Sequence, residues 1–139
     1  MRLSKRSEYG IRALINIASR EKHEMARIKE IADEEKISTK FLEQILLTLK
    51  NTGLLQSKPG RGGGYSLGKP AENISLGRII RILDGPLAPI RCVSETAYEP
   101  CGCPDEENCG LRLIMLDVRN AIADILDNTT LTDIIRRVD

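Results

Sequence analysis

Tyr9, Ala13, Leu14, Ile17 and Ala18 repeat at helical spacing, which predicts a first helix over residues 5–20. A polar connector, EKHEMA, separates it from RIKEIADEEKIS, where Ile28, Ile31 and Ala32 share one face of a short second helix. STKFLEQILLTLKNTG predicts a third. Ser38 or Thr39 caps its start, Phe41, Leu42, Ile45, Leu46 and Leu49 form its buried face, and Gly53 ends it. Two helices joined by a few residues around Lys36–Ser38 have the pattern of a helix-turn-helix, although helical hairpins with no nucleic-acid role share it.

The repeat then shortens to two. LLQSKPGRGGGYSLG holds two alternating runs, Leu54–Lys58 and Gly64–Leu67, around a Gly-rich tip, which predicts a β-hairpin with Lys58 and Arg61 near its turn. A nucleotide-binding loop of the Walker type would end in Gly-Lys-Ser/Thr and open a helix. Here a strand follows, so that reading fails. A hairpin directly after a helix-turn-helix is a wing, and its cationic tip suits the minor groove or the phosphate backbone.

ISLGRIIRILDGP predicts a further helix, capped by Ser75, with Leu76, Ile79, Ile80 and Leu83 inward and Asp84-Gly85-Pro86 as its stop. A long helix is predicted from about Gly110 to Asn128. Leu111, Met115, Val118, Ile122 and Ile125 alternate steps of four and three along it, the spacing of a coiled-coil seam, and Ile114, Leu116, Ala121 and Leu126 widen the stripe. Packing inside the monomer would use part of this face. A small chain has little else to cover the rest except a second copy, so a homodimer is expected. Thr130 and Asp133 form a capping-box-like pair that opens a short last helix. The expected fold is therefore mainly α. It has a winged helix-turn-helix domain with a two-stranded wing over residues 1–84 and a cysteine loop over 85–109. A dimerisation helix with a short C-terminal helix follows over 110–139.

Charge sharpens the picture. The net charge is only +1, but residues 1–69 carry 14 Lys/Arg against 8 Asp/Glu, whereas residues 70–139 carry 7 against 12. This asymmetry directs the first half towards a polyanion, double-stranded DNA. Four aromatic residues in the whole chain argue against a single-strand stacking platform. No apolar run approaches the roughly 20 residues that span a bilayer. The basic N-terminus lacks the compact apolar stretch of a signal peptide, so a cytoplasmic location without membrane attachment is expected.

All four cysteines, Cys92, Cys101, Cys103 and Cys109, crowd into CVSETAYEPCGCPDEENC with the spacing C-x8-C-x-C-x5-C. A reducing cytoplasm disfavours structural disulfides. Structural zinc sites usually show paired C-x2–4-C hooks, which are missing, although four thiolates still suit zinc. Thioredoxin-like chemistry needs C-x-x-C beside a βαβ unit, and neither is present. Iron–sulfur clusters take all-thiolate ligation at varied spacings, so cluster, zinc and thiol switch stay open on spacing alone. In extended backbone Cys101 and Cys103 would point the same way, and Cys109 stands where a helix dipole favours a thiolate. The acidic residues Glu95, Glu99, Asp105, Glu106 and Glu107 read as a solvated rim, and the only histidine, His23, as exposed in the polar connector. A small redox enzyme would need a C-x-x-C, a nucleotide loop or an acid–base His here, so an enzyme is not expected.

The chain resembles the dimeric winged-helix regulators that include the iron–sulfur regulator IscR, the nitric-oxide sensor NsrR and the cysteine regulator CymR. The likeness is carried by MRLSKRSEYGIRAL, IKEIADEEKISTKFLEQIL, GRGGGYSLGKPAENISLGRIIRILDG and the cysteine loop before a long helix. It implies a DNA-binding transcriptional regulator, with a 2Fe–2S or 4Fe–4S cluster held by three loop cysteines. A fourth ligand often comes from elsewhere, sometimes from an acidic residue near the partner's N-terminus, where Glu8 stands in this sequence. The interval from Cys103 to Cys109 fits the family's, Cys92 is set off by a longer insertion, and Cys101 is additional. Ser38, Thr39, Lys40, Glu43 and Gln44 are the candidates for base or phosphate contact, and Glu43 suits a cytosine amino group. Lys58 and Arg61 would meet the backbone or minor groove. The same side chains would also serve plain capping and solvation.

Overall fold

A computed structural model describes residues 2–21 and 24–138, so the expectation for His23 lies outside the described residues. Helix α1 (Lys5–Ala18) starts at Ser4, whose Oγ accepts a hydrogen bond from the Ser7 amide at 3.0 Å. Helix α2 (Ile28–Glu35) ends at Lys36, which takes the left-handed conformation at φ 57°. That reversal turns the chain within three residues. Ser38 then caps α3 (Thr39–Asn51), with its Oγ accepting from the Phe41 amide at 3.2 Å. At the far end Gly53 supplies φ 85°, and the Leu54 amide reaches back to the Leu49 carbonyl at 3.0 Å. The helix-turn-helix is thus bounded by the caps its sequence contains.

The inward stripe of α3 is Leu42, Ile45, Leu46 and Leu49, each at most 1% exposed. Phe41, expected among them, is 39% exposed. It stands at the edge of that stripe, where its ring meets Tyr9 of α1 edge to face at 5.6 Å. Strands β1 (Leu55–Lys58) and β2 (Gly64–Leu67) form the antiparallel wing, with Leu55 opposite Leu67 and Lys58 opposite Gly64. The supposed polar connector contributes to it. Ala26 is fully buried and exchanges both backbone hydrogen bonds with Tyr65, at 2.8 and 2.7 Å. Gly64 is needed for this approach, since a Cβ there would lie 2.5 Å from the Ala26 carbonyl oxygen.

Helix α4 (Leu76–Asp84), capped by Ser75, packs across α1 and α3 through Ile79 and Leu83. Residues 85–109 then loop outwards to α5 (Gly110–Asp127), which lies beside α4 and buries no residue fully. The chain returns at α6 (Leu131–Val138). Leu131 is fully buried and its amide donates to the Ile74 carbonyl at 3.0 Å, while Thr130 and Asp133 cap each other reciprocally at 2.9 and 3.2 Å. The sequence grouped this last helix with the long one. It packs instead on α1, where its Leu131 joins the winged module's core. Among the described residues no helix is long and apolar enough to cross a membrane.

Candidate nucleic-acid interface and cysteine loop

The outer face of α3 presents Lys40, Glu43 and Gln44, all exposed, with Ser38 exposed at the cap and Thr39 half-buried behind it. Ser38 therefore serves the helix through its Oγ, while its own position stays open to a ligand. Lys58 and Arg61 are exposed on the wing, either side of Pro59 and Gly60. Among the described residues none of Lys40, Glu43, Lys58 and Arg61 is held in an ion pair. Free cations on a helix face and a hairpin tip are available to phosphates. Two further residues join this surface. Leu47, 54% exposed on α3, presents an apolar surface suited to a thymine methyl, and Arg6 of α1 donates to the Thr48 Oγ1 at 2.8 Å. Sequence periodicity did not single out either, because an exposed Leu and a surface Arg are ordinary in any helix.

The cysteine loop has a buried stem and an open tip. A turn at Arg91–Val93 seats Cys92 against the body of the protein at 4% exposure, with Val93 and Ser94 also buried. Cys101 and Cys103 are exposed, and Cys109 is half-buried at the N-cap of α5. Cys101 and Cys103 do approach each other, but not through extended backbone. Gly102 takes φ 75°, and this left-handed turn brings the Cys103 amide to 3.4 Å from the Cys101 Sγ. Cys101 and Cys109 are the neighbours that act on the Cys103 thiol.

This contact polarises the pair. The hydrogen bond to Cys101, with burial and the charges of Cys101 and Cys109, pushes the Cys103 thiol up to about 11. The hydrogen bonds from the Cys103 thiol and amide hold Cys101 below the ordinary thiol value. Cys92 is raised, first by its burial and then by the charges of Cys101 and Glu106, with Arg112 opposing. Cys101 is thus the thiolate-forming member.

The acidic residues are not merely a solvated rim. Glu95 pairs with Arg119, Glu99 with Arg91 at 2.6 Å, and Glu106 with Arg112 at 3.5 Å and with the Tyr98 hydroxyl. The pairs with Arg112 and Arg119 tie the loop down to α5, and the other two lie within the loop. Glu8 lies on the first turn of α1, paired with Lys5 at 3.4 Å, and no hydrogen bond joins it to the loop among the described residues. Among the described residues no three Cys, His, Asp or Glu side chains converge into a metal-holding cluster. The donor set nonetheless suits an iron–sulfur centre. Four thiols belong to one loop, Cys101 and Cys103 are held together by the Gly102 turn, and each is uncombined.

Residues 3–137 match the model of the Rrf2 family, described as iron-dependent transcriptional regulators. The chain is 32% identical to the HTH-type transcriptional regulator CymR of Bacillus subtilis over 139 residues, covering 100% of this chain and 93% of that protein. It is 36% identical to the protein rrf2 of Nitratidesulfovibrio vulgaris over 136 residues, covering 98% and 88%. The solved structure of B. subtilis CymR, titled the global cysteine regulator, superposes with a TM-score of 0.84 at 31% identity, covering 100% of this chain and 99% of that one. A helix-turn-helix with an open recognition face, a cationic wing and a whole-length match agree, and the chain belongs to the Rrf2 family of DNA-binding transcriptional regulators.

Proposed function

We propose that this regulator works as a cytoplasmic homodimer whose operator binding is set by an iron–sulfur cluster in the cysteine loop. The observation that carries the reading is the Gly102 turn that brings Cys101 and Cys103 together in a loop that also holds Cys109 and the buried Cys92. Cys92, Cys103 and Cys109 would hold the cluster, with Cys101 or Glu8 of the partner subunit as fourth ligand. A bound cluster supplies a redox-active, oxidant-labile centre. The protein's own residues supply the rest. Arg112 and Arg119 place cations beneath an anionic loop, and the Glu95 and Glu106 pairs hold that loop against α5. An anaerobic absorption spectrum with iron and sulfide analysis tests the reading. Visible bands with matching iron and sulfide support it, and stoichiometric zinc with neither overturns it.

A cluster-free thiol or zinc switch is the second reading. It is favoured by the polarised Cys101–Cys103 pair and by the likeness to a cysteine regulator.

On the DNA side, α3 would enter the major groove and the wing would touch the backbone. Binding should then weaken with salt, each phosphate contact contributing about −0.9 to the log–log slope. Arg61→Ala is expected to flatten the slope by about one contact and weaken all sequences alike. Glu43→Ala is expected instead to relax base choice, with about 1–3 kcal/mol of discrimination lost at one position. Anisotropy titrations at several salt concentrations measure both. An unchanged slope for Arg61→Ala would remove the wing from the interface.

A further inference from the structure

Arg119 projects from the middle of α5 and is only 12% exposed along its side chain. Its one ion-pair partner among the described residues is Glu95 of the cysteine loop, and its Nε is buried with no hydrogen-bond partner. Its other partner is the neutral Asn120 Oδ1, so the charge of the guanidinium is balanced only by a carboxylate that belongs to the loop. Withdrawing Glu95 would leave a largely enclosed cation unpaired, which a protein avoids by moving the element that carries it. Glu95 in turn follows directly on the buried Cys92-Val93-Ser94 segment, so it is tied to the loop's buried cysteine.

The pair does not end there. Glu95 and Arg119 line one narrow cleft with Arg81 of α4. Arg81 holds Asp127, at the last turn of α5, through both guanidinium nitrogens, the second at 3.0 Å. Asp127 sits so close to α4 that a Cβ on Gly77 would stand 1.9 Å from its Oδ1. Next to Gly77 on α4, Arg78 donates to the Thr52 carbonyl at the C-cap of α3, at 3.5 Å. Separate polar contacts thus tie the loop to α5, α5 to α4 and α4 to the end of the recognition helix, and the helices themselves join one contact to the next. The loop's second anchor, Glu106 with Arg112 and Tyr98, involves only the loop and the first turn of α5.

We infer that Glu95 and Arg119 are a positioning pair that transmits the chemical state of the cysteine loop through Arg81–Asp127 and α4 to the DNA-binding helix. The inference rests on the loop being the sensor. It adds the residues by which sensing reaches DNA, whichever group the cysteines hold.

All cysteines of the chain lie in this loop, so a thiol reagent acts there and nowhere else. N-ethylmaleimide serves as the probe. The thiolate sulfur adds across the maleimide double bond, the neighbouring carbon takes a proton, and nothing leaves. Full-length protein would be titrated by anisotropy against a duplex selected from a random pool, before and after alkylation. The wild type is expected to change its Kd about tenfold, within the usual range of coupling. Glu95→Gln and Arg119→Gln should each bring the ratio below about twofold while still binding DNA, because the message and not the reader is lost. Arg119→Lys, which keeps the charge, and the exchanged pair Glu95→Arg with Arg119→Glu should restore part of the response. Hydrogen exchange over residues 76–84 should respond to alkylation in the wild type and not in Glu95→Gln. A wild-type ratio retained in Glu95→Gln would overturn the coupling and leave the sensor intact. A wild type indifferent to alkylation would overturn both.

Discussion

Ile114→Asp combined with Ile125→Asp is expected to turn the proposed dimer into a folded monomer that has lost tight DNA binding. Leu111, Ile114 and Ile125 are 62, 59 and 65% exposed, an unusual state for three large apolar residues on one helix. With Val118 and Ala121 they are spaced by three and four, so they form one seam along α5. The flank next to this seam is already engaged. Arg112 and Arg119 hold the loop, and Ile122 and Leu126 line an apolar groove with Ile80 and Leu87 of the same protomer. Each large side chain buried at an interface contributes about 1.5–3 kcal/mol, and twofold symmetry counts every position twice. Four lost side chains plus four desolvated carboxylates amount to roughly 10 kcal/mol or more, about seven decades in Kd. Since the altered positions touch nothing in their own protomer's core, far-UV circular dichroism should stay native. Sedimentation velocity checks the mass. A native-like dimer in the double variant would place the interface away from this seam.

The same helix shows where sequence reasoning reaches its limit. Its periodicity identified a long amphipathic helix, and α5 spans Gly110–Asp127 where Gly110 to Asn128 was expected. Periodicity cannot say which part of a wide apolar stripe is already covered. The expected seam included Met115 and Ile122, but both are half-buried, Ile122 beside Ile80 of α4, and the open stripe lies about 40° further round, through Ile114 and Ala121. The winged module was legible because its caps, turns and periods are local. Ser38, Ser75 and the Gly-rich hairpin each act within a few residues of themselves. Ala26 was not legible, because its partner Tyr65 lies far along the chain and a bridge of one residue leaves no period. The cysteines announced chemistry but not geometry. Nothing in C-G-C distinguishes an extended chain from a left-handed turn, and the acidic residues of the loop read as a solvated rim until the fold brought Glu95 and Glu106 onto Arg119 and Arg112.

Replacing Cys92, Cys103 or Cys109 by Ala is expected to abolish the visible spectrum of anaerobically prepared protein, because an iron with an incomplete shell must take water or a weaker oxygen ligand. Cys101 and Cys103 are exposed, so their loss should leave the fold untouched and the effect attributable to ligation. The fourth ligand separates two outcomes. The turn at Gly102 places Cys101 against Cys103, and thiolate suits iron–sulfur ligation better than carboxylate, so Cys101→Ala should bleach or convert the centre and Glu8→Ala should spare it. The reverse pattern would assign Glu8 of the partner subunit and make Cys101 a bystander. A second measurement needs no cluster at all. In metal-free, reduced protein Cys101 is the thiol held down by its neighbour and Cys103 the one pushed up to about 11. Alkylation follows the thiolate, so near pH 7 Cys101 should react first and Cys103 should lag until the solution is strongly alkaline. Cys101→Ala removes the partner that raises Cys103, and the reaction of Cys103 should then quicken at neutral pH. Equal rates for the two thiols in the wild type would show that the turn does not hold them together, and the case for Cys101 over Glu8 would go with it.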